Sequence, residues 1–250
     1  MPSETPSERL DLALVARGLT ESRSRARHLI ESGEVTVDGV VVTKSAAKVA
    51  PEQVLALAET AHSWASRAAL KLVGALDLFS IDPAGQICLD IGASTGGFTD
   101  VLLARGAARV HAVDVGHGQL VRRLREDPRV TVYEHLNIRD LTPAQLGEPV
   151  GLIVSDVSFI SLKLALPAAL ACASEGATLV ALVKPQFEVG PGRVGKGGIV
   201  RDEAVRREAL DGIVGWLEQE AEWTVVGTAD ALISGSDGNQ EYLIAARKPC

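Results

Sequence analysis

Residues 89–100 read Leu-Asp-Ile-Gly-Ala-Ser-Thr-Gly-Gly-Phe-Thr-Asp, a combination of small residues and acids at a spacing that could do chemistry. The apolar stretch Ile87–Ile91 reads as a buried strand, and a helix is expected from about Gly97. Glycines let the backbone turn tightly and approach a ligand closely, and the helix N-terminus beyond them offers free N–H groups. A dinucleotide loop would read Gly-x-Gly-x-x-Gly. Here the order is Gly92-Ala93-Ser94-Thr95-Gly96-Gly97, followed by Phe98 and preceded by Asp90. A carboxylate at that place would repel a pyrophosphate and attract a sulfonium and an ammonium. The segment is therefore expected to hold S-adenosylmethionine, with an ordinary strand-to-helix turn as the bland alternative.

Those residues need a scaffold, and the rest of the chain supplies one. After Arg67, apolar strands and amphipathic helices alternate. The strands are expected at Ile87–Ile91, Val110–Asp114, Val130–Glu134, Leu152–Asp156, Ala177–Val183, near Trp223–Ala229 and at Glu241–Arg247. The helices are expected at Gly97–Arg105, Gln119–Arg125, Ser161–Ser174 and Asp202–Glu220. Such alternation predicts an α/β, Rossmann-like parallel sheet with helices on both faces, whose ligands bind at the carboxyl ends of the strands. Asp114 falls at one such end and suits the hydroxyls of a ribose. Asn137, after the third strand, is placed to meet an adenine edge. Asp156 and Lys184 close the fourth and fifth strands. A lysine at the end of an apolar strand is rarely buried unpaired, so an ion pair with Asp156 is the plain reading of Lys184, compatible with a chemical role.

Composition narrows the class. The chain has 250 residues, 46% hydrophobic and 23% charged, as a globular protein of a medium and a small domain would have. No apolar run approaches the ~20 residues of a membrane helix, and the polar start lacks a signal-peptide segment. Three scattered cysteines make neither a disulfide framework nor a metal cage. The expectation is a cytoplasmic protein with no membrane or metal partner. Net charge is −7, awkward for a nucleic-acid partner, yet local patches matter more than the total. Residues 9–48 carry seven Lys and Arg against five Asp and Glu, a local excess of two.

That basic segment has its own order. Residues 9–17 are expected to form a short helix ended by Gly18. Residues 20–32 form a second helix, capped by Thr20 or Ser22 and opening with Ser-Arg-Ser-Arg-Ala-Arg-His at 22–28. Ser32-Gly33-Glu34 turns the chain into a hairpin around Asp38-Gly39. Helix, basic helix, Gly33 and Val-x-Val-Asp-Gly together resemble the S-four-type RNA-binding domain. The resemblance implies a small α+β domain over residues 1–60, in which Arg9, Arg23, Arg25 and Arg27 contact RNA. A linker would follow at 61–66, where packing is the plain reading of Trp64, and a catalytic domain at 67–250.

Five motifs then occur in order: Ser66-Arg-Ala-Ala-Leu-Lys-Leu, Leu89-Asp-Ile-Gly-Ala-Ser-Thr-Gly-Gly-Phe-Thr, Ser155-Asp-Val-Ser-Phe-Ile-Ser, Val183-Lys-Pro-Gln-Phe-Glu and Gly195-Lys-Gly-Gly-Ile-Val-Arg-Asp. With the N-terminal module, they resemble the TlyA (hemolysin A-like) family of ribosomal RNA methyltransferases, whose catalytic half is of the FtsJ type. The resemblance covers about residues 9–247. It implies a seven-stranded methyltransferase sheet, S-adenosylmethionine as cofactor, and the ribose 2′-hydroxyl of cytidine in ribosomal RNA or ribosomal subunits as target. It carries a Lys-Asp-Lys-Glu tetrad onto Lys71, Asp156, Lys184 and Glu241. Lys184 would act as base or hydroxyl-orienting group, Asp156 would position it and favour the nearby sulfonium, and Glu241 would fix Lys71. The family pattern Ser-Arg-Gly-Gly here reads Ser66-Arg67-Ala68-Ala69, which touches the fit of substrate near Lys71. Arg67, with Arg193 and Lys196 of the glycine-rich loop 190–201, completes the RNA-facing set. The state implied is a monomer or weak homo-oligomer. The rivals are a silent RNA-binding assembly factor, a cytolysin, and a nicotinamide oxidoreductase disfavoured by the glycine spacing.

Overall fold

A computed structural model describes residues 7–20, 22–31, 33–57, 64–235 and 238–250. The chain divides into two compact units, Met1–Ser63 and Trp64–Cys250. Residues 61–63 of the expected linker and Ser32 of the expected turn lie outside the described residues, while Trp64 belongs to the second unit.

In the first unit the order is β1 (Glu8–Arg9), α1 (Leu10–Ala16), α2 (Arg23–Glu31), β2 (Val35–Val37), β3 (Val40–Val41), β4 (Lys48–Val49) and β5 (Leu55–Leu57). β2 pairs with β3 through the Asp38-Gly39 turn and with β5 on its other side, both antiparallel. Leu10, Ala13 and Leu14 of α1 face Ala26, Leu29 and Ile30 of α2 and Val35 and Val37 of β2 in one small apolar core. The first helix is shorter than its pattern. Arg9 is not in it, because its backbone pairs with Lys48 in the β1–β4 ladder. α2 likewise starts at Arg23, three residues after the expected start.

The second unit runs α3 (Ala69–Leu78), β6 (Ile87–Ile91), α4 (Gly97–Ala104), β7 (Arg109–Val113), α5 (Arg122–Arg125), β8 (Val130–Tyr133), a 3-10 turn (Ile138–Asp140), α6 (Pro143–Leu146), β9 (Val150–Ser155), α7 (Leu162–Leu170), β10 (Ala173–Val183), α8 (Pro185–Glu188), a second 3-10 turn (Pro191–Arg193), α9 (Glu203–Gln219), β11 (Thr224–Asp230) and β12 (Tyr242–Arg247). The seven strands form one sheet in the order β11-β12-β10-β9-β6-β7-β8. β10, β9, β6, β7 and β8 are parallel, and β12 runs antiparallel between β10 and β11. The chain starts at β6, winds outward to β7 and β8, then returns to β9 on the other side. The switch point therefore lies between β6 and β9, and the carboxyl ends of β6, β7, β9 and β10 share one edge.

Both faces of the central strands are covered, which explains their unbroken apolar sequences. Leu89, Ile91, Ile153, Leu179 and Ile244 pack against Leu162 and Leu166 of α7 and Leu210, Ile213 and Trp216 of α9. The alternate residues Cys88, Val110, Leu152, Val180 and Leu243 pack against Leu72 and Leu76 of α3 and Val101 and Leu102 of α4.

Two expected helices are shorter in the structure. The 161–174 helix ends at Leu170, because Ala173 pairs with Val150 and opens β10 four residues before the expected strand. The 119–125 helix shrinks to Arg122–Arg125, since Val121 is extended and its N–H is bonded to the Thr95 carbonyl. Ile153 is fully buried in β9. Ile153→Ala is expected to cost about 2–5 kcal/mol, read as a lower urea midpoint for the larger unit with an unchanged slope.

Candidate active site

The loop after β6 is shaped by what it cannot contain. Gly92 has φ +80°, and a Cβ there would stand 3.0 Å from the Asp156 carbonyl oxygen, so this position needs a residue without one. Gly96 caps α4 in the left-handed region, and a Cβ on it would run into Leu120 and Leu124. The loop is pinned by Asp114, which closes β7. Its Oδ2 accepts from Ser94 N–H at 2.7 Å and its Oδ1 from Gly116 N–H at 2.6 Å. The N–H of Ala65 donates to Asp100 of α4 at 2.9 Å, and Thr95 Oγ1 donates to the Ala65 carbonyl.

Lys71 sits in the first turns of α3 and Glu241 just before β12, and the two meet with Nζ–Oε2 at 2.6 Å. Their side chains are 9% and 3% exposed, so this is a desolvated pair. Lys184 and Asp156, from the ends of β10 and β9, meet with Nζ–Oδ1 at 2.6 Å. Lys184 Nζ also donates to Ser158 Oγ at 2.9 Å. The four members of these two pairs, with Ser66, Arg67 and Ser158, line one cavity of about 400 Å³. Ala93, Thr95, Gly97 and Phe98 form its wall toward α4.

A larger cleft of about 1220 Å³ adjoins it, lined by Gly92, Ser94, Asp114, Asn137, Asp156, Ser158 and Phe159 among others. Gly92, Ser94, Asp156 and Ser158 border both. The cleft exceeds the roughly 300–1,000 Å³ of common small-molecule sites. Its apolar walls (Ile91, Val113, Leu136, Ile138) and its carboxylates, Asp114 and Asp156, suit a nucleoside that carries positive charge. The residues present thus fit S-adenosylmethionine.

Some expected site residues stand elsewhere. Asp90 and Gly96 line neither cavity. Asp90 is fully buried, with Oδ2 accepting from Thr99 Oγ1 at 2.6 Å and Oδ1 without a hydrogen-bond partner among the described residues. Burial, opposed by the Thr99 bonds and aided by Asp156 and Asp114, pushes its carboxyl up to about 7. It braces the loop from beneath rather than presenting a charge to the cleft. Asn137 does border the cleft, but its Oδ1 already accepts from Arg139 N–H and Nε, capping the 3-10 turn.

Among the basic residues, Arg9, Arg23 and Arg27 converge on one fully buried carboxylate, Asp11, at 2.9, 3.0 and 3.1 Å. These bonds, Arg9's foremost, hold Asp11 well below the usual carboxylate range. Arg25 is half-buried, and Arg67 and Lys196 are exposed. Arg193 is held by Glu208 of α9, with Nη2–Oε2 at 2.7 Å, so the loop that carries no acid in sequence meets one in space.

Two residues escaped the sequence reading. Ser158 bonds Lys184. Phe159 is 91% exposed at φ +65°, a backbone region that bulky residues rarely adopt, with its ring 5.2 Å from that of Phe187. Their position just after a strand-end acid was the available signal, but periodicity does not report exposure.

The FtsJ-like methyltransferase family matches residues 64–248, and the S4 domain matches residues 8–55. The 16S/23S rRNA (cytidine-2′-O)-methyltransferase TlyA of Mycobacterium tuberculosis is 50% identical over 240 residues, covering 96% of this chain and 89% of that one. Hemolysin A of Brachyspira hyodysenteriae is 42% identical over 236 residues, 94% and 98% of the two chains. A solved structure of a hemolysin-named protein from Streptococcus thermophilus superposes with a TM-score of 0.74 at 38% identity, over 98% of this chain and 90% of that one.

The raised Asp90 carboxyl has a sign that can be tested. The folded state holds a proton that the unfolded chain loses near pH 4, so this group's contribution falls as pH rises from about 4 to about 7, then levels off. Asp90→Asn is expected to gain stability relative to wild type across that window, with the smallest difference at its acid end. Urea titrations of both proteins at several pH values measure it.

Proposed function

The chain belongs to the TlyA family of FtsJ-like methyltransferases, and from that premise we propose that it transfers a methyl group from S-adenosylmethionine to the ribose 2′-hydroxyl of a cytidine in ribosomal RNA, 16S, 23S or both. The observation that carries this reading is the meeting of two desolvated ion pairs, Lys71–Glu241 and Lys184–Asp156, in one cavity that opens beside the larger cleft. Residues 1–60 act as the RNA-binding domain and 67–250 as the catalytic domain, and of the expected linker 61–66 the stretch from Trp64 on is packed into the catalytic unit.

Bound in the larger cleft, S-adenosylmethionine supplies a methyl carbon already made electrophilic by its sulfonium. Asp114 accepts from ribose hydroxyls of the cofactor, Asn137 faces the adenine edge, Gly92 and Ser94 border this cleft, and Ala93, Thr95, Gly97 and Phe98 border the adjoining cavity, with Gly96 bracing the loop between them. Asp156 places a carboxylate between the two cavities, where it favours positive charge. Lys184 Nζ takes the proton of the ribose 2′-hydroxyl, or orients that hydroxyl through a hydrogen bond. Asp156 holds the amine in place. Lys71 stands as a second cation facing the substrate, neutralised and aimed by Glu241. Holding the hydroxyl at attack distance removes much of the entropic part of the barrier.

Arg9, Arg23, Arg25, Arg27, Arg67, Arg193 and Lys196 take the phosphates of the RNA. Arg23 and Arg27 each meet Asp11 through Nε, which among the described residues leaves their terminal nitrogens to take phosphate oxygens. Arg193 must exchange Glu208 for phosphate when RNA arrives.

Labelled S-adenosylmethionine and unmodified ribosomal subunits test the reaction. The wild-type chain is expected to place label in RNA, at a linkage that resists alkali. Asp156→Ala and Lys184→Arg are expected to lose about 100-fold or more in turnover. Full turnover by Lys184→Arg overturns its role as base, and cofactor binding without labelled RNA favours an assembly factor. The double substitution Arg23→Gln with Arg27→Gln is expected to raise the KM for RNA and flatten its salt dependence, with kcat unchanged.

A further inference from the structure

We infer that Ser158 is a positioning residue for methyl transfer, fixing which face of the Lys184 amine meets the ribose hydroxyl. The inference rests on the methyl-transfer reading above and adds to it a residue outside the Lys-Asp-Lys-Glu set.

A lysine amine turns freely about its last carbon–nitrogen bond, and three tetrahedral directions on Nζ must be assigned before it can act. One is assigned by a hydrogen bond, to Ser158 Oγ at 2.9 Å, and a second faces the charge of Asp156 Oδ1 at 2.6 Å, an ion pair without hydrogen-bond geometry. To accept a proton, the amine must be neutral, with two N–H groups and one lone pair. Ser158 takes one N–H, and the charge of the Asp156 carboxylate disfavours a lone pair on its side, so the lone pair occupies the third direction. Without Ser158, one N–H is free to swing into that direction and meet the ribose oxygen as a donor. The proton balance is simple. The hydroxyl proton goes to the lone pair, the amine becomes an ammonium beside the Asp156 carboxylate, and the proton then leaves to water.

The surroundings hold this triangle rigid. Asp156 and Ser158 are two residues apart just after β9, and the Asp156 N–H is bonded to the Ile91 carbonyl. Lys184 is extended and followed by Pro185, which restricts its backbone. A second tie closes the other end. Glu188, four residues after Lys184, accepts from Ser161 Oγ at 2.6 Å and Leu162 N–H at 2.9 Å. Ser158 also borders both cavities, so its hydroxyl stands where substrate and cofactor meet.

Ser158→Ala and Ser158→Thr in the full chain test this, with labelled S-adenosylmethionine and unmodified ribosomal subunits. Ser158→Ala is expected to lower kcat by about 10- to 100-fold, with the KM for subunits and the Kd for cofactor each within about twofold of wild type. Ser158→Thr, which keeps the hydroxyl, is expected to recover most of the rate. A residue that merely shapes the cleft gives the opposite split: cofactor Kd rises and kcat at saturation stays. That result, an unchanged kcat in Ser158→Ala, or equal losses in the alanine and threonine proteins overturns the inference. A wild-type chain that labels no RNA overturns the methyl-transfer reading itself, and this inference with it.

Discussion

Beside the exposed Arg67, four largely desolvated charged side chains share one small cavity at the carboxyl edge of the sheet, and desolvation obliges each of the four to meet its opposite. Truncating one member of such a pair leaves the other charge buried and alone, at a cost of about 3–5 kcal/mol. The elements that carry these groups are thereby bound to one another. Helix α3 must bring Lys71 against the start of β12, and the ends of β9 and β10 must stay in register so that Asp156 and Lys184 meet. The parallel pairing of β9 with β10 and the antiparallel pairing of β10 with β12 supply that register. Packing places the strands, and charge neutralisation selects which residues close them.

The same rule operates in the first unit, in a different form. Asp11 is fully buried, yet three guanidiniums reach it from α2 and from β1. One carboxylate against three cations leaves two positive charges over. The arrangement orders the arginines and keeps a net positive face in a chain whose total charge is −7. An acid in this position does not weaken the case for a phosphate partner, because it fixes the guanidiniums before the partner arrives.

How much of this is legible in the residues alone depends on the distance over which each fact is decided. Strand Ile87–Ile91 lies where its apolar pattern puts it, and Asp114, Asp156 and Lys184 fall at strand ends because period and turn chemistry are local. Asp90 was legible as a residue of consequence but not in its role: sequence shows an acid before a glycine loop, not that the acid lies beneath it. The Lys71–Glu241 pair spans 170 residues, and only a motif likeness brings the two together before the fold is known. The Arg193–Glu208 contact crosses from a loop to a helix face, so a count of charges within the loop misses it. The end of α7 at Leu170 was decided by pairing of Ala173 with Val150, a long-range bond that overrode a good helical pattern.

One topological detail bears on how the molecule comes into being. β12 inserts between β10 and β11, and the carboxylate of Glu241 stands at its entrance. During synthesis, every other member of the cavity emerges from the ribosome before that strand does. Until residue 241 arrives, Lys71 lacks its buried counter-charge and β10 has an open edge. A growing chain can bury its first parallel strands, yet the chemistry has no complete setting until the final strand closes. The catalytic cavity is thus a late product of folding, and a chain cut short before that strand carries a recognisable fold with no working centre.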